Sequence, residues 1–434
     1  MTTKGRSCVI VGAGLAGLSA AYRLRKRGWN LTVLEAQQRA GGRVFSYRFD
    51  EARHLVCELG GEWIGEDHEE IQDLCQRFRL KLDRHQYSFS FWNGRKRSRI
   101  YPPGSWCFSQ RARKKFKAFA KRFERFDPAQ TRAFDGFDWW SILRSMGFTA
   151  DELLKRDLMD STDFGESIRL TSAYTAAAEY IEGNATDEMD FKIRGGNARL
   201  IYSLVGALDP NDFYLNTKVK SIHQTSLGVE VFVEGRPIPF RAEFCICTVP
   251  AQCLLKIKWE PPLPQEQADA ARQLQYSRIM KTPVLFNKRF WPSYKGYGFS
   301  AFTSRISDFC FDSTYRQKGP GGILCSYSTG DKADDLAAEP NKGKIKNWIR
   351  EDMLEVTGLK GDDVRAVRAF PQAWQRVHWI GGAYAFYRPG QWFTVRPLLQ
   401  RAHGRVLFAG EHLADLQGFM EGAVNTGHAA ADQL

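Results

Sequence analysis

The sequence lacks any uninterrupted apolar run approaching the roughly 18 residues that a membrane span requires, so no transmembrane helix is expected. It lacks a signal-peptide pattern. Met1-Thr2-Thr3-Lys4-Gly5-Arg6-Ser7 runs straight into an apolar segment, and the expected compartment is the cytoplasm. It also lacks a CxxC pair. Its nine cysteines are an odd number in a long chain, and Cys245 and Cys247 alternate along one apolar stretch. This pattern predicts reduced, mostly buried thiols rather than a disulfide framework, and no metal site. No internal repeat or low-complexity linker interrupts the 434 residues, which suffice for two domains. Acid is scarce in one stretch. Residues 106–125 carry Arg111, Arg113, Lys114, Lys115, Lys117, Lys121, Arg122 and Arg125 against Glu124 alone. Phe116, Phe119 and Phe123 share one helical face there, so an amphipathic surface helix with a basic outer face is expected. No nucleic-acid or membrane partner is assigned to it. The formal net charge of +13 describes the outer surface and does not choose a function.

Apolar residues make up 43% of the chain, which fits a globular protein. The segment that organises it lies at the N-terminus. Cys8-Val9-Ile10-Val11 reads as a buried strand, Leu18, Ala21, Tyr22 and Leu24 recur at helical spacing, and Leu31-Thr32-Val33-Leu34 is a second strand. Between strand and helix stands Gly12-x-Gly14-x-x-Gly17. In such a βαβ unit the first glycine allows the turn. The second lets a pyrophosphate approach the backbone, and the third lets helix pack on strand. The phosphates then face the free N–H groups at the helix start. Glu35, closing the second strand, can accept a ribose hydroxyl. A dinucleotide site is therefore expected here.

Further along, 43–65 reads as extended structure with turns, and 68–80 as a helix. Residues 87–101 read as a hairpin turning at Asn93-Gly94. Residues 106 to about 205 read as mainly helical, and Gly195-Gly196-Asn197 opens a helix over 198–208. Short strands return at 213–215, 219–223, 229–233 and 244–249, and a sheet spans 280–330. A helix covers 342–354, a strand 406–409, and a last helix begins near Phe419.

These residues resemble the flavin-dependent amine oxidase family of monoamine, polyamine and L-amino acid oxidases. Five matches carry the resemblance in the family's order. They are 34–43 (Leu34-Glu35-Ala36-Gln37-Gln38-Arg39-Ala40-Gly41-Gly42-Arg43), 58–64 (Glu58-Leu59-Gly60-Gly61-Glu62-Trp63-Ile64) and Val219-Lys220-Ser221-Ile222. The last two are Trp374 with Gly382-Ala383-Tyr384, and Gly410-Glu411 with Gly418-Phe419-Met420-Glu421-Gly422-Ala423. The resemblance implies an α/β fold in which a Rossmann-like FAD-binding domain (1–80, 197–258 and 395–434) is interleaved with an α+β substrate domain (81–196 and 259–394). The helical part of the latter is 106–196 and its sheet part 275–390. It implies FAD bound along Gly12, Gly14, Gly17 and Glu35. Gly42, Arg43, Gly61, Glu62 and Trp63 would lie on the pyrophosphate and ribityl side, and Val219 at the adenine. Glu411 would reach the ribityl or phosphate region, and Met420 and Ala423 the isoalloxazine. Gln37 stands where a basic residue is common. Ala383 stands where covalent monoamine oxidases carry cysteine, so non-covalent FAD is expected.

The resemblance also places Tyr384 and Phe419 on either side of the amine, with Phe419 in place of a more usual tyrosine. Lys281 would reach flavin N5 through water, with burial lowering its pKa, and Trp374 would wall the flavin. The implied reaction moves a hydride from the carbon next to an amine nitrogen to flavin N5. The imine leaves and hydrolyses, and oxygen regenerates the flavin with release of hydrogen peroxide. The substrate is an amine or an L-amino acid, and the resemblance allows a homodimer. An amino acid would need a cation for its carboxylate, and a polyamine would need carboxylates along its path. Asp157, Asp160, Asp163 and Glu166, with Arg156 and Arg169 beside them, read as a solvated face. Two readings stand beside this one: a carotenoid- or porphyrinogen-type desaturase, and a non-catalytic flavoprotein using its basic face.

Overall fold

The computed structural model describes residues 6–94, 97–183, 188–359 and 363–434. The lead-in at 1–5 and two positions of the expected hairpin, 95 and 96, lie outside them. β1 (Ser7–Val11), α1 (Leu15–Lys26) and β2 (Asn30–Leu34) form the N-terminal unit. Among the described residues its sheet has five strands, in the order Val406–Phe408, Phe244–Cys247, β1, β2, Phe213–Tyr214, and every pairing is parallel. Both faces of a parallel sheet are covered, which is why these strands are apolar throughout rather than alternating. On one face α1 packs against the C-terminal helix Met420–Asp432, with Leu18, Leu24, Ile10 and Val424 fully buried. On the other face Val9, Val11 and Cys247 meet a second sheet built from 219–225, 228–233, 240–242 and 258–260.

A larger sheet carries the rest. Its strands run Ala366–Ala369, Ile279–Phe286, Gly322–Thr329, Phe309–Asp312, Gly298–Thr303 and Tyr87–Trp92, and Gln372–Ala373 also pairs with Ile279–Phe286. Strand alternation gives its faces different jobs. Met280, Val284, Phe286 and Leu324 face a core with the helices Gly330–Ala338 and Lys342–Thr357. Lys281, opposite Tyr327 in register, points the other way. The helices between 110 and 182 form their own aromatic core around Trp139. Within it Gln110–Phe123 buries Ala112, Phe119 and Phe123 and exposes Arg111, Arg113, Lys114, Lys117, Lys121 and Arg122, as its pattern predicts.

The expected hairpin is not the main pairing of residues 87–92. Residues 97 and 101 touch that strand only through isolated bridges, while Tyr87–Trp92 pairs in parallel along its whole length with Gly298–Thr303. A long-range partner wins because it buries Phe91 against Phe302, which a local return strand cannot do. Strands at Phe191–Ile193, Phe240–Ala242 and Lys258–Glu260 were too short to read as periodic. All nine cysteines are free and buried. No helix among the described residues is long and apolar enough to cross a membrane.

Candidate active site

One cavity of about 310 Å³ runs from the N-terminal glycine turn to the inner face of the large sheet. Gly12 lies at φ +103°, and a Cβ there would sit 2.6 Å from Thr248 Oγ1. A Cβ on Gly17 would sit 2.0 Å from the Gly12 carbonyl oxygen, so this residue fixes how closely α1 approaches the turn. Gly17 is also the one predicted site residue that does not line the cavity, as expected of a packing position. A Cβ on Gly14 would meet nothing within 4 Å, leaving open space before the start of α1. That start has no side-chain cap and no acid in its first turn, so its N–H groups remain available to an anion. Glu35 Oε2 accepts the Ala13 N–H at 2.8 Å and Oε1 accepts the Gln37 N–H at 2.9 Å. Burial raises its pKa against these donors. The turn, the open space and the fixed carboxylate fit a dinucleotide.

Gly42, Arg43, Gly61, Val219, Gly410, Ala423 and Met420 continue the wall. Met420 opens the C-terminal helix, and a Cβ on Gly61 would sit 2.9 Å from its Cγ. Glu411 is engaged within the chain. Its Oε1 accepts from Arg43 Nη1 at 2.6 Å and from the Ala385 N–H at 3.3 Å, and its Oε2 accepts from the Gly418 N–H at 3.1 Å. Arg43 Nη1 also donates to the Ala383 carbonyl at 2.8 Å. Together these bonds tie the Gly42–Arg43 loop to the Ala383–Tyr384 and Gly418–Phe419 segments. Trp374 donates from Nε1 to the Leu59 carbonyl at 2.7 Å, which holds its ring edge against Gly60.

The far end is built from side chains. Tyr384 and Phe419 both face the cavity, with the Tyr384 ring 3.4 Å from where a Gly418 Cβ would stand. Tyr384 Oη donates to the Thr162 carbonyl at 3.0 Å, so the 3.0 Å contact with Tyr327 Oη is donated by Tyr327. Burial pushes the Tyr384 pKa well above the ordinary 10.0 and keeps the phenol neutral. Phe419 packs edge-on against His68, ring centres 5.4 Å apart. Lys281 lies in the wall with Nζ on Glu62 Oε2 at 2.6 Å and on the Gly60 carbonyl at 2.9 Å. Its expected pKa shift is reversed. Burial acts most strongly to lower it, but Glu62, by charge and hydrogen bond, together with Cys325 and Glu58 raises it above 10.5. Glu62 faces burial in turn, yet Lys192 and Lys281 hold its pKa below 4.5. Trp63 lies beside this pair, with the Lys192 ammonium 4.4 Å from its ring centre.

The acidic run is not a solvated face. Arg156 and Asp160 pair at 2.7 Å in the interior, where Trp139 Nε1 donates to Asp160 at 2.8 Å. Asp157 meets Arg169 at 3.0 Å outside, and Glu166 meets Arg278 at 2.6 Å. Asp163 is the member that reaches the cavity, accepting from Tyr180 Oη at 2.7 Å, and Glu179 joins it in the wall. Helical spacing puts residues 156, 160 and 163 on one inward stripe. Reading that stripe would have singled out Asp163. Glu179, Tyr327 and Lys192 carry no comparable local signal.

The family model described as flavin containing amine oxidoreductase matches residues 15–434. The L-amino-acid oxidase of Siganus canaliculatus is 28% identical over 461 aligned positions, covering 98% of this chain and 84% of that protein. The L-amino-acid oxidase of Gloydius halys is 26% identical, covering 99% and 89%. Among solved structures, a putrescine oxidase bound to putrescine superposes with a TM-score of 0.85 at 22% identity. It covers 99% of this chain and 98% of that one. Cyclohexylamine oxidase from Brevibacterium oxydans IH-35A also gives 0.85, at 20% identity and the same coverage. The low identity of these structures supports the two-domain α/β fold alone. The match of the family model over nearly the whole chain settles membership: the protein belongs to the flavin-containing amine oxidoreductases.

Proposed function

We propose that the chain binds FAD non-covalently along the Gly12–Gly14 turn and oxidises a small amine that carries no carboxylate, with oxygen as acceptor and hydrogen peroxide as product. One observation carries the choice of substrate. Around Tyr384 the wall contains Asp163 and Glu179, and among the described residues the only arginine lining the cavity is Arg43, which is bound to Glu411. Lys281 is bound to Glu62. An amino acid's carboxylate would meet carboxylates here, whereas a cationic substrate group would find acceptors. Bound flavin supplies the two-electron oxidation and passes the electrons to oxygen.

The chain supplies the rest. The faces of Tyr384 and Phe419 hold and orient the nitrogen. The hydroxyl chain from Tyr327 through Tyr384 to the Thr162 carbonyl fixes the first ring in place. Glu62 holds the proton on Lys281 Nζ, leaving an ammonium donor at the wall. Phe309, Phe311 and Phe302 exclude water. Support for non-covalent binding comes from Ala383, which has no thiol. The thiol that does line the cavity, Cys253, is kept protonated by burial and donates to the Trp379 carbonyl. Nine free, buried cysteines support a reducing compartment, and we place the enzyme in the cytoplasm.

The relatives favour L-amino acids as a second reading. Peroxide release from a panel of monoamines, diamines and L-amino acids separates the two. Turnover of amines with silence toward L-amino acids is expected, and the reverse pattern overturns the substrate assignment. Acid precipitation should leave the yellow colour in the supernatant, and colour retained on the protein would overturn non-covalent binding.

A further inference from the structure

Behind the cavity wall one buried carboxylate serves two buried ammonium groups. Lys281 meets Glu62 from the cavity side, and Lys192 meets the other oxygen from behind. Lys192 does not line the cavity. It lies under the Trp63 ring, with the Tyr87 hydroxyl at 3.5 Å. Tyr87 donates to the Asp312 carbonyl at 3.1 Å, so the 2.6 Å contact with His85 Nε2 is donated by His85. His85 stays neutral, because burial and the Lys192 charge push its pKa well below 6.5. The Ser313 hydroxyl adds a 3.4 Å bond to Glu62. Asp312 lies nearby, accepting from Trp291 Nε1 at 2.8 Å, and Glu58 is a further buried carboxylate. It is held by the Asn197 N–H at 2.9 Å and the Ser46 hydroxyl at 2.7 Å, and burial pushes its pKa up to about 6.

A lone Glu62–Lys281 pair would be neutral. Lys192 changes that balance from behind the wall, without lining the cavity itself. In a low-dielectric interior, one charge a few ångströms behind a wall is felt strongly in front of it. We propose that Lys192 is a positioning residue for the oxidation. By sharing Glu62, it leaves the Lys281 ammonium incompletely neutralised, so that the wall presents positive charge to a flavin ring bound at this end. Such charge favours the electron-rich, reduced form of the ring and makes substrate oxidation easier. The proposal rests on the placement of the ring at the Lys281 end of the cavity.

The test compares FAD-loaded wild type, Lys192→Met, Glu62→Gln and the double variant. Visible spectra check flavin content, and midpoint potentials are read by equilibration with a reference dye. No amine is needed, so a failure here is distinct from a failure of the substrate reading. Lys192→Met removes a positive charge and should lower the potential. Glu62→Gln removes a negative charge and should raise it, and the double variant should return close to wild type. Lys192→Arg should preserve the wild-type potential. A purely structural lysine would change the melting temperature and leave no such charge order. Wild-type potentials in both single variants, or shifts in the same direction, overturn the proposal. Should Lys192→Met not accumulate folded, the double variant is read against Glu62→Gln: a lower potential in the double variant supports the proposal and an equal one overturns it.

Discussion

At the Gly12 end the cavity wall is backbone, and at the Tyr384 end it is side chain. The first end is made by consecutive residues. A strand, a turn whose Gly17 has no room for a Cβ against the Gly12 carbonyl, and a helix start present backbone donors in sequence. The second is assembled across the chain. Lys281 comes from a sheet strand, Glu62 from an irregular loop, Asp163 and Glu179 from two helices, and Phe419 from the start of the last helix. On the proposed reading, the first end grips the cofactor mainly through backbone groups, with Glu35 as its carboxylate, and the second chooses a substrate through side chains only certain residues own.

That contrast predicts two kinds of failure. Gly17→Val should have the largest effect. Its side chain would collide with the Gly12 carbonyl, costing about 3 kcal/mol by overpacking and lifting α1 from the turn. The protein should purify without yellow colour and melt early, and normal flavin content would show that the close approach is dispensable. At the other end, Lys281→Met should keep its flavin while slowing one half-reaction roughly a hundredfold, the scale of losing a fixed charged donor. Stopped-flow traces of flavin reduction and reoxidation check this, and unchanged rates in both remove Lys281 from the chemistry.

Glu35→Ala returns to the first end. Losing a charged acceptor is worth about 1.5–3 kcal/mol, so FAD should bind roughly 10- to 100-fold more weakly in titrations of apoprotein. Full occupancy after dilution would deny Glu35 its role. Asp163→Asn should have the smallest effect, a roughly tenfold rise in KM for a cationic amine with kcat nearly kept, from the loss of one charge-assisted contact. An unchanged KM would mean that Asp163 serves only the fold.

The same contrast explains what was legible in the sequence. The turn was readable because its constraints are local: spacing, φ and the absence of a Cβ all sit within a few residues of each other. Tyr384, Phe419 and Lys281 were found through family resemblance. Strand alternation confirms the direction of Lys281, because Met280 and Val284 face the opposite core. Lys192 was not readable. It alternates with Phe191 and Ile193, which pack toward the N-terminal core, so alternation alone would have sent it to solvent. Its far side is instead covered by Trp63, Phe311 and Tyr87, from segments the sequence keeps far apart. The sign of the Lys281 pKa shift failed for a related reason. Burial was foreseeable, but the carboxylate that overrides it comes from position 62, and only the fold brings them together.

Anaerobic mixing of the yellow enzyme with amines and L-amino acids, followed at the flavin's visible absorbance, tests the central claim most directly. Rapid bleaching by at least one small amine and little change with L-amino acids are expected. Absorbance that no amine diminishes, in a protein whose flavin dithionite still bleaches, would contradict it.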